Sequence, residues 1–147
     1  MDIKNLYRQI IMDHYKNPLN KGLVNNEKYL TIHMNNPSCG DDIIVQFLED
    51  DQKIVDIRHD GTGCSICCSS ASVMSSVLVN KSKEQVLDII DNFYSMLTNN
   101  EYDNNLIKAD LLAYHGVSQF PARIKCATLS WKAIEKGLLN EREFSDE

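Results

Sequence analysis

Five cysteines hold most of the chemistry open to this sequence: Cys39, Cys64, Cys67, Cys68 and Cys126. An odd number of thiols in a chain without secretory features points to metal ligation or reactive sulfur rather than a disulfide framework. Cys39 lies in Asn36-Pro37-Ser38-Cys39-Gly40-Asp41, a Pro- and Gly-bounded loop of the kind that displays reactive groups on a rigid scaffold. Cys64 follows Gly61-Thr62-Gly63 and opens a helix, where free backbone amides and the helix dipole favour a thiolate. Cys126 falls on the last helix, turned about 200° from Ile124 onto a face of small residues, Ala122, Ser130, Ala133 and Gly137. These separations match no compact zinc finger, so any site must be assembled from three distant segments, and each cysteine alone also fits a small buried hydrophobe. Three thiolates with Asp41, two residues beyond Cys39, could close a tetrahedral sulfur-and-oxygen site of the type Zn2+ accepts.

Such a site needs elements to position it. Residues 2–16 repeat Ile3, Leu6, Tyr7, Ile10, Ile11 and His14 at helical spacing behind an Asp2 N-cap and ahead of Pro18. Three runs then read as an antiparallel sheet: Tyr29 to Met34, Ile43 to Leu48 and Lys53 to His59, the last two joined by a turn at Glu49-Asp50-Asp51-Gln52. Gly61-Thr62-Gly63 is expected to break the third strand, and the small residues from Ser65 to Leu78 suit a tightly packed helix. Ser82 and Gln85 make a capping box ahead of Val86, Ile89, Ile90, Phe93 and Leu97. Residues 99–106 read as a loop, Leu106 to Tyr114 as a short helix, and Pro121 as the first residue of a final helix with a stripe of Ile124, Thr128, Trp131, Ile134 and Leu138. The acidic tail from Glu141 to Glu147 is expected to fray. With no repeat, linker or low-complexity block, the expectation is one α+β domain over residues 1–147, a small three-stranded antiparallel sheet packed against several helices.

Composition narrows the class of function. A chain of 147 residues is near the roughly 150 typical of one domain, and 43% hydrophobic with 24% charged residues is ordinary globular material, able to fold without a metal. Fifteen Lys and Arg against 21 Asp and Glu leave a net charge of −6 with no basic cluster, which removes the main electrostatic term of nucleic-acid binding. No apolar run approaches the ~20 residues that cross a bilayer, and the start MDIKNLYRQ has no signal or transit pattern, so the expected setting is cytoplasmic, away from membranes.

The segments NPSCGD at 36–41, GTGCSI at 61–66 and FPARIKCATLSWKAIEKG at 120–137, with LYRQIIMDHYKNP at 6–18, resemble the signature segments of the IscU/NifU-like superfamily of iron-sulfur cluster assembly proteins. The resemblance spans nearly the whole chain and is specifically to the SufU-type zinc-dependent sulfurtransferase branch. The scaffold branch carries His immediately before its third cysteine, where this chain has Lys125, and its stretch between second and third cysteines is shorter by about one helical segment. The resemblance implies a SufE/NifU-like fold and a Zn2+ site made by Cys39, Asp41, Cys64 and Cys126. It also implies a SufS-like cysteine desulfurase as partner, whose persulfide sulfur is accepted and relayed towards a downstream iron-sulfur assembly scaffold. In that family a desulfurase His takes the thiolate's place on zinc, which frees the residue matching Cys39 to attack the persulfide, making Cys39 the expected catalytic residue. The alternatives are an iron-sulfur scaffold of the IscU kind and a binding module with an inert zinc.

Cys67 and Cys68 depart from the family pattern, which has small or apolar residues there. Cys64, Cys67 and Cys68 share one helix face, and Cys64-x-x-Cys67 imitates a redox or zinc pair, so packing, alternate ligation and redox protection of Cys64 all stay open. Arg123, one turn before Cys126, could stabilise a thiolate or orient Asp41, or could simply be solvated. His14, His33, His59 and His115 are scattered and are expected to be surface or structural groups, and Trp131 to be core.

Overall fold

The computed structural model describes residues 3–107 and 109–139. Its sheet is a three-stranded antiparallel meander in the order β1-β2-β3, with β1 at Leu30–Asn36, β2 at Asp41–Asp50 and β3 at Lys53–Thr62. Among the described residues five helices accompany it: α1 (Ile3–Lys16), α2 (Ser65–Leu78), α3 (Lys83–Leu97), α4 (Ala109–Leu112) and α5 (Pro121–Leu138). A 3-10 turn over His115–Gln119 precedes the last. The α+β reading of the sequence is thus the architecture found.

Alternation decides which sheet face is covered, and a bulge where β3 pairs with Leu48 and Glu49 brings both Ile54 and Ile57 onto it. Ile32 on β1, Val45 and Phe47 on β2 and Ile54 and Ile57 on β3 are fully buried against α2, α3 and α5, with Met74, Phe93 and Trp131 among the largest core side chains. The Phe93 and Trp131 rings stack with centroids 4.3 Å apart. The turn between β2 and β3 places Asp51 and Gln52 at φ 53° and 64°, the two-residue left-handed turn that suits the twist of a hairpin. On α3 the Ser82 and Gln85 capping box is formed as the sequence pattern requires.

Helix α2 is buried on nearly every side, which explains its run of small residues. Ser69, Ser70, Ala71, Ser72 and Ser75 let neighbouring elements approach closely, and the four serine hydroxyls are hydrogen-bonded. Ser70 Oγ donates to the Ala127 carbonyl at 2.6 Å and accepts from Trp131 Nε1 at 2.8 Å, tying α2 to α5. Ser72 Oγ bonds His14 Nδ1 and accepts from the Leu19 amide, both at 2.8 Å, while His14 Nε2 reaches Asp110 at 2.8 Å. His14 is therefore a structural link between α1, α2 and α4. Gly137 faces Phe47 so closely that a Cβ there would come within 2.5 Å of the ring, which confirms the small face of α5 as a contact face.

Three expectations need correction. Strand β3 does not break at Gly61: it runs on to Thr62, with Gly61 opposite Ile43, because at φ 135° glycine lets the strands approach to where a Cβ would sit 2.2 Å from the Asp42 carbonyl. Of the helix expected over Leu106 to Tyr114, the described residues form only α4, and a 3-10 turn follows it. On α1 the inward face is narrower than its apolar stripe, with Tyr7, Ile10 and Ile11 half-buried but Ile3 and Leu6 exposed. The Asp2 cap and the tail Glu141 to Glu147 lie outside the described residues.

Candidate metal centre

Pairing of β1 with β2 continues through Asn36 opposite Asp41, so residues 37–40 form a tight turn that carries Cys39, with Gly40 in the left-handed region at φ 70°. Asp41 then opens β2 with its side chain inward and only 1% of the residue exposed. Cys64 is the N-cap of α2, next to the end of β3, and Cys126 is fully buried in the second turn of α5. Hairpin, helix start and final helix converge at one end of the sheet.

The Cys39 and Cys126 sulfurs and a carboxylate oxygen of Asp41 all lie within 4.8 Å of one another, close enough to share one metal ion. Cys64 is not part of that compact trio. It packs against the same small cluster, formed by Ile43, Cys67, Ala71, Cys126 and Leu129, and its amide donates to Asp41 Oδ1 at 3.0 Å. Asp41 Oδ2 is buried without any hydrogen-bond partner. A buried carboxylate oxygen left unpaired is costly, and a cation between it and the thiols satisfies it. Soft sulfur donors with one carboxylate fit Zn2+.

Neighbours hold these donors in place. Asn36 Nδ2 donates to Cys126 Sγ at 3.8 Å, a contact that sequence reasoning missed although Asn36 opens the NPSCGD segment. Gly63 lies so near Asp41 that a Cβ would come within 2.6 Å of Oδ1, which explains the second glycine of GTGC by space rather than by backbone torsion. Burial first, and then the nearness of Asp41, Cys39 and Cys64, pushes the Cys126 thiol far up, so the buried site favours protonated sulfur until a cation enters. Burial likewise raises the Cys67 and Cys68 thiols. The exposed Arg123 guanidinium, one helical turn before Cys126, is shifted up chiefly by Cys126 and then by the charges of Cys64 and Cys39.

Cys67, 1% exposed, belongs to the apolar cluster behind the trio, whereas Cys68 turns towards the Gly63 carbonyl at 3.7 Å. Neither lies within the compact trio. The histidines are structural or peripheral: His59 bonds the Leu19 carbonyl at 2.7 Å, and exposed His33 pairs with Asp42. No helix among the described residues is long and apolar enough to cross a membrane.

The family profile described as "NifU-like N terminal domain" matches residues 6–127. The zinc-dependent sulfurtransferase SufU of Bacillus subtilis is 47% identical over 140 residues, which span 95% of this chain and 94% of that protein. The iron-sulfur cluster assembly scaffold protein IscU of Streptococcus pyogenes is 38% identical over 92% of this chain and 84% of its own length. Among solved structures, one from Fervidobacterium islandicum, named a candidate iron-sulfur cluster assembly scaffold for the SUF system, superposes with a TM-score of 0.80 at 32% identity, covering 93% of this chain and 99% of that one. The N-terminal NifU-like protein of Brucella abortus shares the fold, with a TM-score of 0.81 at 20% identity over 96% of each chain.

Proposed function

Because the chain belongs to the family of NifU-like N-terminal domains, we propose that it is a zinc-dependent sulfurtransferase that accepts persulfide sulfur from a cysteine desulfurase and relays it for iron-sulfur cluster assembly. The observation that carries the reading is that Asp41, whose carboxylate groups with the Cys39 and Cys126 sulfurs, keeps a buried oxygen, Oδ2, without a hydrogen-bond partner. In this reading Cys39, Asp41, Cys64 and Cys126 hold Zn2+, with Cys64 closing the set from the N-cap of α2. Bound zinc supplies thiolate character at neutral pH where burial otherwise keeps the Cys126 thiol protonated.

The residues divide the work by where they sit in the fold. Cys126 is locked in α5 and the Cys64 backbone begins α2, whereas Cys39 is half-buried on a four-residue turn that can move without repacking a helix. Cys39 is accordingly the acceptor. Its thiolate attacks the outer sulfur of the desulfurase persulfide, a new S–S bond forms on Cys39, and the desulfurase cysteine leaves as thiolate, with no net oxidation. Arg123 lies where it can stabilise the thiolates and meet an acidic partner surface. The similarity to the Streptococcus pyogenes scaffold keeps a second reading, in which the same donors hold an iron-sulfur cluster, though Lys125 stands where that branch has His.

Metal analysis followed by a desulfurase assay separates the readings. The expected result is one zinc per chain and faster cysteine turnover when the protein is added. A brown, reductant-sensitive protein without zinc overturns the proposal in favour of the scaffold, and zinc without any effect on turnover favours an inert module.

A further inference from the structure

Cys64 and Cys67 sit together on the first turn of α2, Cys64 as the N-cap with an extended backbone (φ −71°, ψ 166°) and Cys67 as the third helical residue. Helix geometry sets α-carbons three residues apart about 5 Å from each other, inside the range of about 4.4–6.8 Å that a disulfide spans. An N-cap side chain is directed at the amides of the second and third helical residues, yet Cys64 makes no side-chain cap bond, so its sulfur is not tied to the helix. The two thiols differ in access: Cys64 is half-buried, Cys67 almost wholly buried in the cluster on which Cys64 packs. Cys68, by contrast, lines a separate cavity of about 260 Å³ with Lys21 and His59.

We propose that Cys64 and Cys67 close a disulfide when a peroxide oxidises Cys64, and that this closure takes Cys64 away from the metal-holding residues. The Cys64 thiolate displaces hydroxide from hydrogen peroxide and becomes a sulfenic acid, with hydroxide leaving as water after protonation. The Cys67 sulfur then attacks the Cys64 sulfur, the S–O bond breaks, and the second hydroxide leaves as water with the Cys67 proton. The balance is two thiols and one peroxide to one disulfide and two waters. Cys67 needs no solvent access for its step, because its target is one helical turn away. A dithiol reductant reverses the reaction, so oxidation arrests the site without driving Cys64 to sulfinic acid. The disulfide stands on the local geometry, and only the loss of metal rests on the reading of Cys64 as a ligand.

The test treats the full-length protein, both zinc-loaded and chelator-stripped, with excess hydrogen peroxide. Fragmentation mass spectrometry under non-reducing conditions locates the bond, and a chromogenic zinc indicator follows release. The expected result is a Cys64–Cys67 disulfide in both forms, zinc release from the loaded form, and recovery with dithiothreitol. Cys67→Ala, with its fold checked by circular dichroism, is expected to abolish the disulfide and leave Cys64 as sulfinic acid, while Cys68→Ser behaves as wild type. A bond between Cys39 and Cys126 or between Cys64 and Cys68, or sulfinic acid on wild-type Cys64, overturns the proposal. A Cys64–Cys67 disulfide that forms while zinc stays bound refutes the loss of metal and instead removes Cys64 from the ligand set.

Discussion

At Asp41 one carboxylate oxygen accepts the Cys64 amide while the other has no partner in a buried site shared with two thiols. Losing that carboxylate is expected to weaken metal retention by at least the 10–100-fold typical of supporting residues, as read by chelator competition. Cys67→Ala, which empties only a position in the apolar cluster behind the trio, should retain the metal. The reverse pattern would make the site an all-cysteine one. Arg123 offers a second residue-scale check, because it is an exposed cation one helical turn before Cys126 in a chain of net charge −6. Arg123→Glu should lower the apparent affinity for the desulfurase more at low than at high salt, since complementary charges mainly steer encounters. Kinetics unchanged across salt would remove Arg123 from the interface. Motif made the grouping of Cys39, Asp41 and Cys126 legible in the sequence. The amide of Cys64 on Asp41 was not, because it depends on where β3 ends relative to β2.

Among elements, the end of β3 positions the centre, and its glycines are there for space. Gly63→Ala needs no forbidden torsion but drives a Cβ against Asp41 Oδ1, so the variant should fold, melt near wild type without metal, and hold metal more weakly. Gly61→Ala adds a left-handed torsion to its clash with the Asp42 backbone and should destabilise the metal-free protein by about 1–3 kcal/mol or more in thermal unfolding. On the same strand, His59 joins β3 to residues 19–22 through the Leu19 carbonyl and two backbone bonds. Burial lowers its pKa, so the unfolded chain protonates first as pH falls. Its contribution is complete above the unfolded value near 6.5 and is lost as pH drops from there towards the folded value. Metal-free wild type should lose more stability than His59→Gln between pH 7.5 and 5.5. Period and capping made α1, α2, α3 and α5 readable. The continuation of β3 through Gly61 was not, because a glycine that ends a strand and one that permits close strand approach look alike in sequence.

For the molecule as a whole, the acidic balance and the absence of a long apolar helix among the described residues leave the clustered thiols as the chemically distinctive feature. The α+β layout could be read because helix and strand periods agree with one another along the chain. The convergence of residues 39, 64 and 126 at one end of the sheet could not be derived from spacing, since it follows from the hairpin register and the packing of α2 on α5. That convergence makes the claim about sulfur specific to one residue. The most direct measurement is peptide mass spectrometry of the protein after incubation with desulfurase and cysteine, under conditions that preserve persulfides. The account predicts one added sulfur atom on the peptide containing Cys39 and none after Cys39→Ser; added sulfur confined to Cys126 would contradict it.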